Sequence, residues 1–391
     1  MSIPPIDDDA AWSCWQGEWS IRDDTIYLNH GSFGPPPDVV RAARQAWQLR
    51  LDCQPMDFYV RRYEEHWLGT RRVLAAFVGT APDNLVFVEN ATLAMNIVAD
   101  NFHLAAGDQV VLNDHEYGAV LRIWERACRR AGTGAPVIAR LPERFESPDE
   151  VVAAIFSVVT DRTKLLIVSH ITSPTALILP VREICAAARR RNVAVCIDGP
   201  HAPVQQPVEI DALGCDFYAA SCHKWLSAPF GSGFLAVHPK YHERFEPVTL
   251  SWGRLSPNVP QRWFEEFMWS GTRDPSCYFA IADAIRFIQQ IREGVFRERT
   301  HALAQYARSR IVELTGLEPP VADSPRWYGS MALAPLPALD ARQLQRDLWQ
   351  QHGIEVPIID FGGRQYIRVS CHLYNTPRHI DTLVAALRQH L

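Results

Sequence analysis

From residue 84 onward, short unbroken apolar runs alternate with longer segments whose apolar positions recur every three or four residues. Seven runs read as strands: 85–88, 110–112, 137–139, 165–168, 193–197, 217–220 and 234–237. They are continuous rather than alternating, as expected of strands covered on both faces in a mostly parallel sheet. Helical spacing predicts helices over 93–101, 119–130, 150–158 and 181–191. The pattern predicts an α/β fold with a large domain on a mostly parallel seven-stranded sheet. After about residue 270 the texture changes. Long helical patterns (278–292, 297–314) lead to two short strands (331–334, 366–369) and two helices (341–351, 377–389), which read as a smaller C-terminal α/β domain. The expected division is an arm over 1–25, a large domain over 26–270 and a small domain over 271–391 that includes the long connecting helix. The arm carries Trp12, Trp15 and Trp19, so it is expected to dock on another surface, such as a second subunit.

Composition narrows the classes. Of 391 residues, 47% are apolar and 21% charged, which is ordinary for a globular enzyme. A net charge of −5 gives no reason to expect nucleic acid or an anionic membrane as partner. The basic run Arg189–Arg191 closes a helical pattern, where cations suit the helix dipole. Nine scattered cysteines without a CxxC pair suggest reduced thiols in a cytoplasmic setting. The acidic start has no apolar segment of the kind a signal peptide needs, and no run approaches a membrane span.

Only three of the 39 Lys and Arg residues are lysines: Lys164, Lys224 and Lys240. Arg stays charged at ordinary pH, whereas a buried Lys can lose its proton and form an imine with an aldehyde. Lys224 lies in Ser221-Cys222-His223-Lys224, just after the strand 217–220. Asp198 closes the strand 193–197. Polar groups at the carboxyl ends of such strands converge on ligands. An anion beside an amine suits pyridoxal 5'-phosphate, with Lys224 for the aldehyde and Asp198 for the ring nitrogen. Each also has a plain reading, Asp198 as a turn residue and Lys224 as a partly buried surface lysine. Asn90-Ala91-Thr92 precedes a helix and offers either a phosphate site or a simple cap, with Ser221 and His223 as further phosphate donors. Tyr117, after the strand 110–112, can stack on a planar ring. His115 and Glu116 lack a second ligand cluster, so no metal is expected. Neither a nucleotide loop nor a GxSxG elbow is present.

On these residues the chain resembles the class V aminotransferase family of fold-type I pyridoxal-phosphate enzymes, within it the isopenicillin N epimerase-like branch, and is related to cysteine desulfurases. The resemblance spans roughly residues 25–390 and rests on motifs in the family's order. They include Tyr-Leu-Asn-His-Gly-Ser-Phe-Gly (27–34), Asn-Ala-Thr (90–92), Glu-Tyr-Gly-Ala (116–119), Asp-Gly-Pro-His-Ala (198–202), Cys-His-Lys-Trp (222–225), Ser-Gly-Thr-Arg-Asp (270–274) and Ile-Arg-Val-Ser-Cys-His-Leu-Tyr-Asn-Thr (367–376). It implies that Lys224 holds the cofactor as an internal aldimine and then moves protons, and that Asp198 pairs with the ring nitrogen. His201 would lie near the phenolic oxygen and Tyr117 over the ring. Ala91, Thr92, Ser221 and His223 would bind phosphate, with Ser173 beside the cofactor. Thr272 would reach the phosphate of a neighbouring subunit, implying a homodimer with shared sites. Arg368 would clamp the substrate carboxylate, helped by Asn29. Asn29 and Ser173 also suit turns, and Thr272 a helix cap.

The shared chemistry is loss of the Cα proton of an amino-acid substrate. Epimerisation is the leading expectation, the proton returning to the other face from a second acid, with His30, Tyr117 and His201 as candidates, or from the same Lys224 after repositioning. Elimination with C–S cleavage, or transamination, is the alternative. The family's desulfurases carry a nucleophilic Cys on a loop before the carboxylate-binding Arg. Residues 353–364 contain none, and Cys371 follows Arg368, so a persulfide route is not expected. A non-catalytic binding protein is the reading from another class, and the set Asp198, Lys224 and Arg368 speaks against it.

Overall fold

The computed structural model describes residues 4, 5 and 7–391. The central sheet is built from β1 (Leu85–Val88), β2 (Gln109–Asn113), β3 (Val137–Ala139), β4 (Thr163–Ser169), β5 (Ala194–Asp198), β6 (Phe217–Ser221) and β7 (Gly233–Val237). Their order is β1-β7-β6-β5-β4-β2-β3. β7 runs antiparallel to both neighbours, and the remaining pairs are parallel. The fold is therefore α/β with a mostly parallel seven-stranded sheet. β1, β5, β6 and β7 are buried at every residue, which explains their unbroken apolar runs. Asn113, Ser169, Asp198 and Ser221 close β2, β4, β5 and β6. Apolar continuity stops one residue short of them. Register places Asp198 between Ser169 on β4 and Ala219 on β6, at the carboxyl end of the central strand.

Helices α1 (Ala91–Asn101) and α2 (Gly118–Ala131) follow β1 and β2 directly. The Asn90 side chain caps α1 by accepting from the Leu93 N–H at 2.9 Å. This cap starts the helix two residues earlier than its apolar periodicity implies. Beyond the sheet, the helix expected over 278–292 is divided into Ser276–Phe279 and Ile281–Ile291. The long helix Glu293–Thr315 packs Phe296, Leu303, Ala304, Ala307 and Ile311 inward. A second, antiparallel sheet joins β8 (Met331–Leu336), β9 (Ile358–Phe361) and β10 (Arg364–Ser370) in the order β9-β10-β8. β9 was not expected, because none of its residues is fully buried.

Two regions depart from expectation. Residues 38–77, read without elements, form the helices Asp38–Cys53 and Tyr63–Phe77 around a π-turn at Phe58–Arg62. Only Val40 of Asp38–Cys53 is buried, so its apolar stripe is too thin to read. The arm docks on its own chain. Trp19 packs edge-on against Phe287, His372 and Tyr374, and Trp12 is buried beneath the Arg299 guanidinium. Ile26–Tyr27 pairs with Ile354–Glu355, and Leu28 accepts from the Ser370 N–H at 2.8 Å. These contacts carry residues 29–34 to the edge where β6 ends. Among the described residues, no helix is long and apolar enough to cross a membrane.

Candidate active site

Lys224 sits in the turn after β6, held through its backbone. Its carbonyl accepts from the Ser227 N–H at 2.8 Å and lies 3.1 Å from His30 Nε2. Gly34 presses on this turn: a Cβ there would stand 2.6 Å from both His30 Nε2 and the Lys224 carbonyl. The Lys224 amine reaches into a cavity of about 360 Å³, where its Nζ lies 3.0 Å from His201 Nε2. Burial and the Arg368 guanidinium lower its pKa, and Asp198 opposes them. The neutral amine is favoured by these surroundings far more than in water.

Asp198, at the end of β5, faces the same cavity and is 4% exposed. No hydrogen-bond donor among the described residues reaches its carboxylate, and burial raises its pKa against the pull of Lys224. Glu116 lies nearby and is also buried. It accepts from the Ser169 N–H at 2.9 Å, from the Ser169 hydroxyl at 2.6 Å and from the Asn113 amide. Burial pushes its pKa up to about 8, and Asp198 adds to the rise against these hydrogen bonds. Glu116 thus ties the ends of β2 and β4 together beside Asp198. Its motif was legible; this role was not.

The start of α1 forms another wall, with Asn90, Ala91 and Thr92 on the lining beside Ser221 and His223. The Ala91 N–H already donates to Ser221 Oγ at 3.0 Å. His223 Nδ1–H donates to the Ser232 carbonyl at 3.1 Å, which leaves Nε2 as a donor only in the imidazolium. Burial and Lys224 oppose that charge, and a bound phosphate would favour it.

Arg368 comes from β10 and is 5% exposed. It donates to the Ser32 hydroxyl at 2.9 Å and to the Ser173 carbonyl, yet no carboxylate pairs with it among the described residues. Its Nε is buried without an acceptor, and burial lowers its pKa to about 10. A buried guanidinium left unpaired on a cavity wall is a ready carboxylate site.

Of the expected residues, Ala91, Thr92, Tyr117, Ser173, Asp198, His201, Ser221, His223, Lys224 and Arg368 all line this one cavity. Asn29 and His30 do not line it, contrary to expectation. The Asn29 amide turns to Glu355 at 3.3 Å. His30 is wholly buried, stacked on His372 with ring centres 4.0 Å apart, and 2.9 Å from the Tyr374 hydroxyl. Burial takes its pKa down to about 3, so it supports Lys224 from below as a neutral ring. Thr272 is exposed and away from the cavity of its own chain. Ser32 and Phe33 line the cavity although neither was singled out, despite lying in the motif that holds Asn29. A larger cleft of about 800 Å³ opens beside the starts of β5 and β6, around Asp216 and Lys240. Those two side chains are already paired with each other, and the cleft contains none of the converging groups above.

The family described as Aminotransferase class-V matches residues 59–383. The chain belongs to the class V aminotransferase family. An isopenicillin N epimerase of Amycolatopsis lactamdurans is 36% identical, covering 97% of this chain and 98% of that protein. A putative L-cysteine desulfhydrase 2 of Oryza sativa subsp. japonica is 30% identical, over 91% and 82% respectively. Among solved structures, a C-DES variant with glycine covalently linked to its PLP cofactor superposes with a TM-score of 0.81 at 21% identity, over 98% of this chain and 99% of that one. As a class V enzyme the protein uses pyridoxal 5'-phosphate. The cavity fits that group: an amine prone to lose its proton, a buried carboxylate without a donor, a capped helix N-terminus and an unpaired guanidinium face it together.

Proposed function

We propose that the protein inverts the configuration at Cα of an amino acid or amino-acid conjugate, as an isopenicillin N epimerase-like enzyme. The observation that carries this reading is the Lys224 amine, disposed to be neutral, in one cavity with the free carboxylate of Asp198 and the unpaired Arg368. Bound pyridoxal phosphate supplies an aldehyde for the substrate amine and a ring that takes up electrons when the Cα–H bond breaks. Asp198 holds the ring nitrogen in its protonated form, and the start of α1, with Thr92, Ser221 and His223, receives the phosphate. Arg368 fixes the substrate carboxylate, with Ser32 and Ser173 fixing its fork. Lys224 Nζ takes the Cα proton.

Inversion needs a proton from the other face. His30 is shut off beneath Lys224, and His201 is hydrogen-bonded to Nζ itself, so it acts together with that base. Tyr117, half exposed on the lining, is the remaining candidate for the second acid. None of the lining residues is a cysteine, which supports a route without a persulfide. Elimination with C–S cleavage is the second reading, supported by the likeness to the desulfhydrase. Incubating candidate L-amino acids in deuterated water separates the two. Deuterium at Cα with the D-enantiomer and no keto acid is expected. Keto acid with ammonia or released thiol, without inversion, would overturn the epimerase reading.

A homodimer with shared sites is part of this proposal, Thr272 of one subunit serving the cavity of the other. Support comes from exposed apolar side chains that a lone chain leaves uncovered, including Leu250, Trp252, Met56 and Leu49, each more than half exposed. Sedimentation of the wild type is expected to give a dimer; a fully active monomer would contradict it. The division into 1–25, 26–270 and 271–391 is proposed with it, supported at the last boundary by the separation of the seven-stranded sheet from the three-stranded one, although the pair Ile26–Tyr27 with Ile354–Glu355 crosses it.

A further inference from the structure

Trp225 has a single polar atom, and it is directed at His201. The indole Nε1 lies 3.2 Å from His201 Nδ1, and the Trp225 side chain is fully buried. An indole N–H can only donate, so Nδ1 must be the accepting, unprotonated nitrogen. A neutral imidazole carries one proton, which then sits on Nε2. That nitrogen lies 3.0 Å from Lys224 Nζ. Burial holds His201 in the neutral form, and the charges of Lys224 and Arg368 act in the same direction. Asp198, from the end of β5, acts on Lys224, and His30 meets the Lys224 carbonyl rather than its amine.

We infer that Trp225 is a positioning residue whose indole N–H fixes the tautomer of His201, so that Nε2–H is the donor presented to Lys224 Nζ and, once that amine is engaged, to an anionic oxygen of the bound cofactor. In the opposite tautomer Nε2 would present a lone pair, which can accept from the neutral amine but repels the oxyanion. Among the described residues, the side-chain hydrogen bonds of the His201 ring are those to Trp225 and Lys224, so Trp225 alone selects between the tautomers. The inference rests on Lys224 being the cofactor lysine.

The test compares Trp225→Phe in two backgrounds, the natural His201 and His201→Gln. A glutamine amide has no tautomers, so Trp225 has nothing to select there. With His201 present, Trp225→Phe is expected to move the pH midpoint of the holoenzyme's visible absorption by about one unit and to weaken pyridoxal 5'-phosphate binding roughly tenfold, the size of one hydrogen bond to a charged group. In the His201→Gln background it should change neither. Equal changes in both backgrounds, or none with His201 present, would overturn the proposal. Should Trp225→Phe not fold, nitrogen-15 NMR of the histidines in the unaltered apoprotein decides. Protonation of His201 at Nε2 supports the proposal, and protonation at Nδ1 overturns it. An unaltered protein that never develops a visible band defeats the Lys224 reading instead, and the NMR result still judges the tautomer.

Discussion

Burial and the Arg368 guanidinium lower the Lys224 pKa from the ordinary 10.5, and Asp198 only partly restores it. Condensation with an aldehyde requires the neutral amine, so the uptake rate of pyridoxal 5'-phosphate by the apoprotein rises with pH until that amine is deprotonated. Because the pKa is depressed, the rise is expected to level off well below 10.5. Stopped-flow absorbance against pH measures this; a rate still climbing through pH 10 would mean Lys224 titrates as an ordinary surface lysine. Single residues were the most legible part of the site. One of only three lysines, an aspartate closing a strand and an arginine far along the chain carry chemistry in their identity. Asn29 and His30 misled because a motif does not specify which way a side chain turns. The contacts that turn them, Glu355 and His372, lie more than 300 positions away.

At the level of elements, the site depends on strand ends being held in place. Glu116 joins β2 to β4 through the Asn113 amide and both donors of Ser169. Removing the acceptor leaves those donors buried and unpaired. Glu116→Ala is expected to cost roughly 1–3 kcal/mol in urea unfolding, with Glu116→Gln losing less because one oxygen remains. An unchanged unfolding midpoint for Glu116→Ala would show that the strand ends are held by other means. The strands themselves were readable because burial on both faces leaves unbroken apolar runs. Asp38–Cys53 was not, since it buries only Val40, and the buried stripe of Tyr63–Phe77 is interrupted by the polar Thr70 and Arg71. α1 began earlier than its apolar spacing because Asn90, a polar cap, sets its start.

Across the whole molecule, residues from the arm side (Ser32), the central sheet (Asp198, Lys224) and the C-terminal sheet (Arg368) meet in one cavity. The sheet order was beyond the reach of apolar pattern, which shows strands but not neighbours. The insertion of β7 between β1 and β6 brings the phosphate-ready start of α1 beside Ser221 and Lys224. The arm follows the same logic in reverse: its tryptophans do seek a surface, and that surface is Phe287, His372 and Tyr374 of the same chain. On this reading, the Lys224 amine in this cavity carries the cofactor. Borohydride reduction of the holoenzyme, followed by peptide mass spectrometry, tests that claim most directly. A pyridoxyl phosphate adduct on the peptide carrying Lys224, absent in Lys224→Ala, is the predicted result. An adduct on Lys164 or Lys240, or none in a protein saturated with the cofactor, would contradict it.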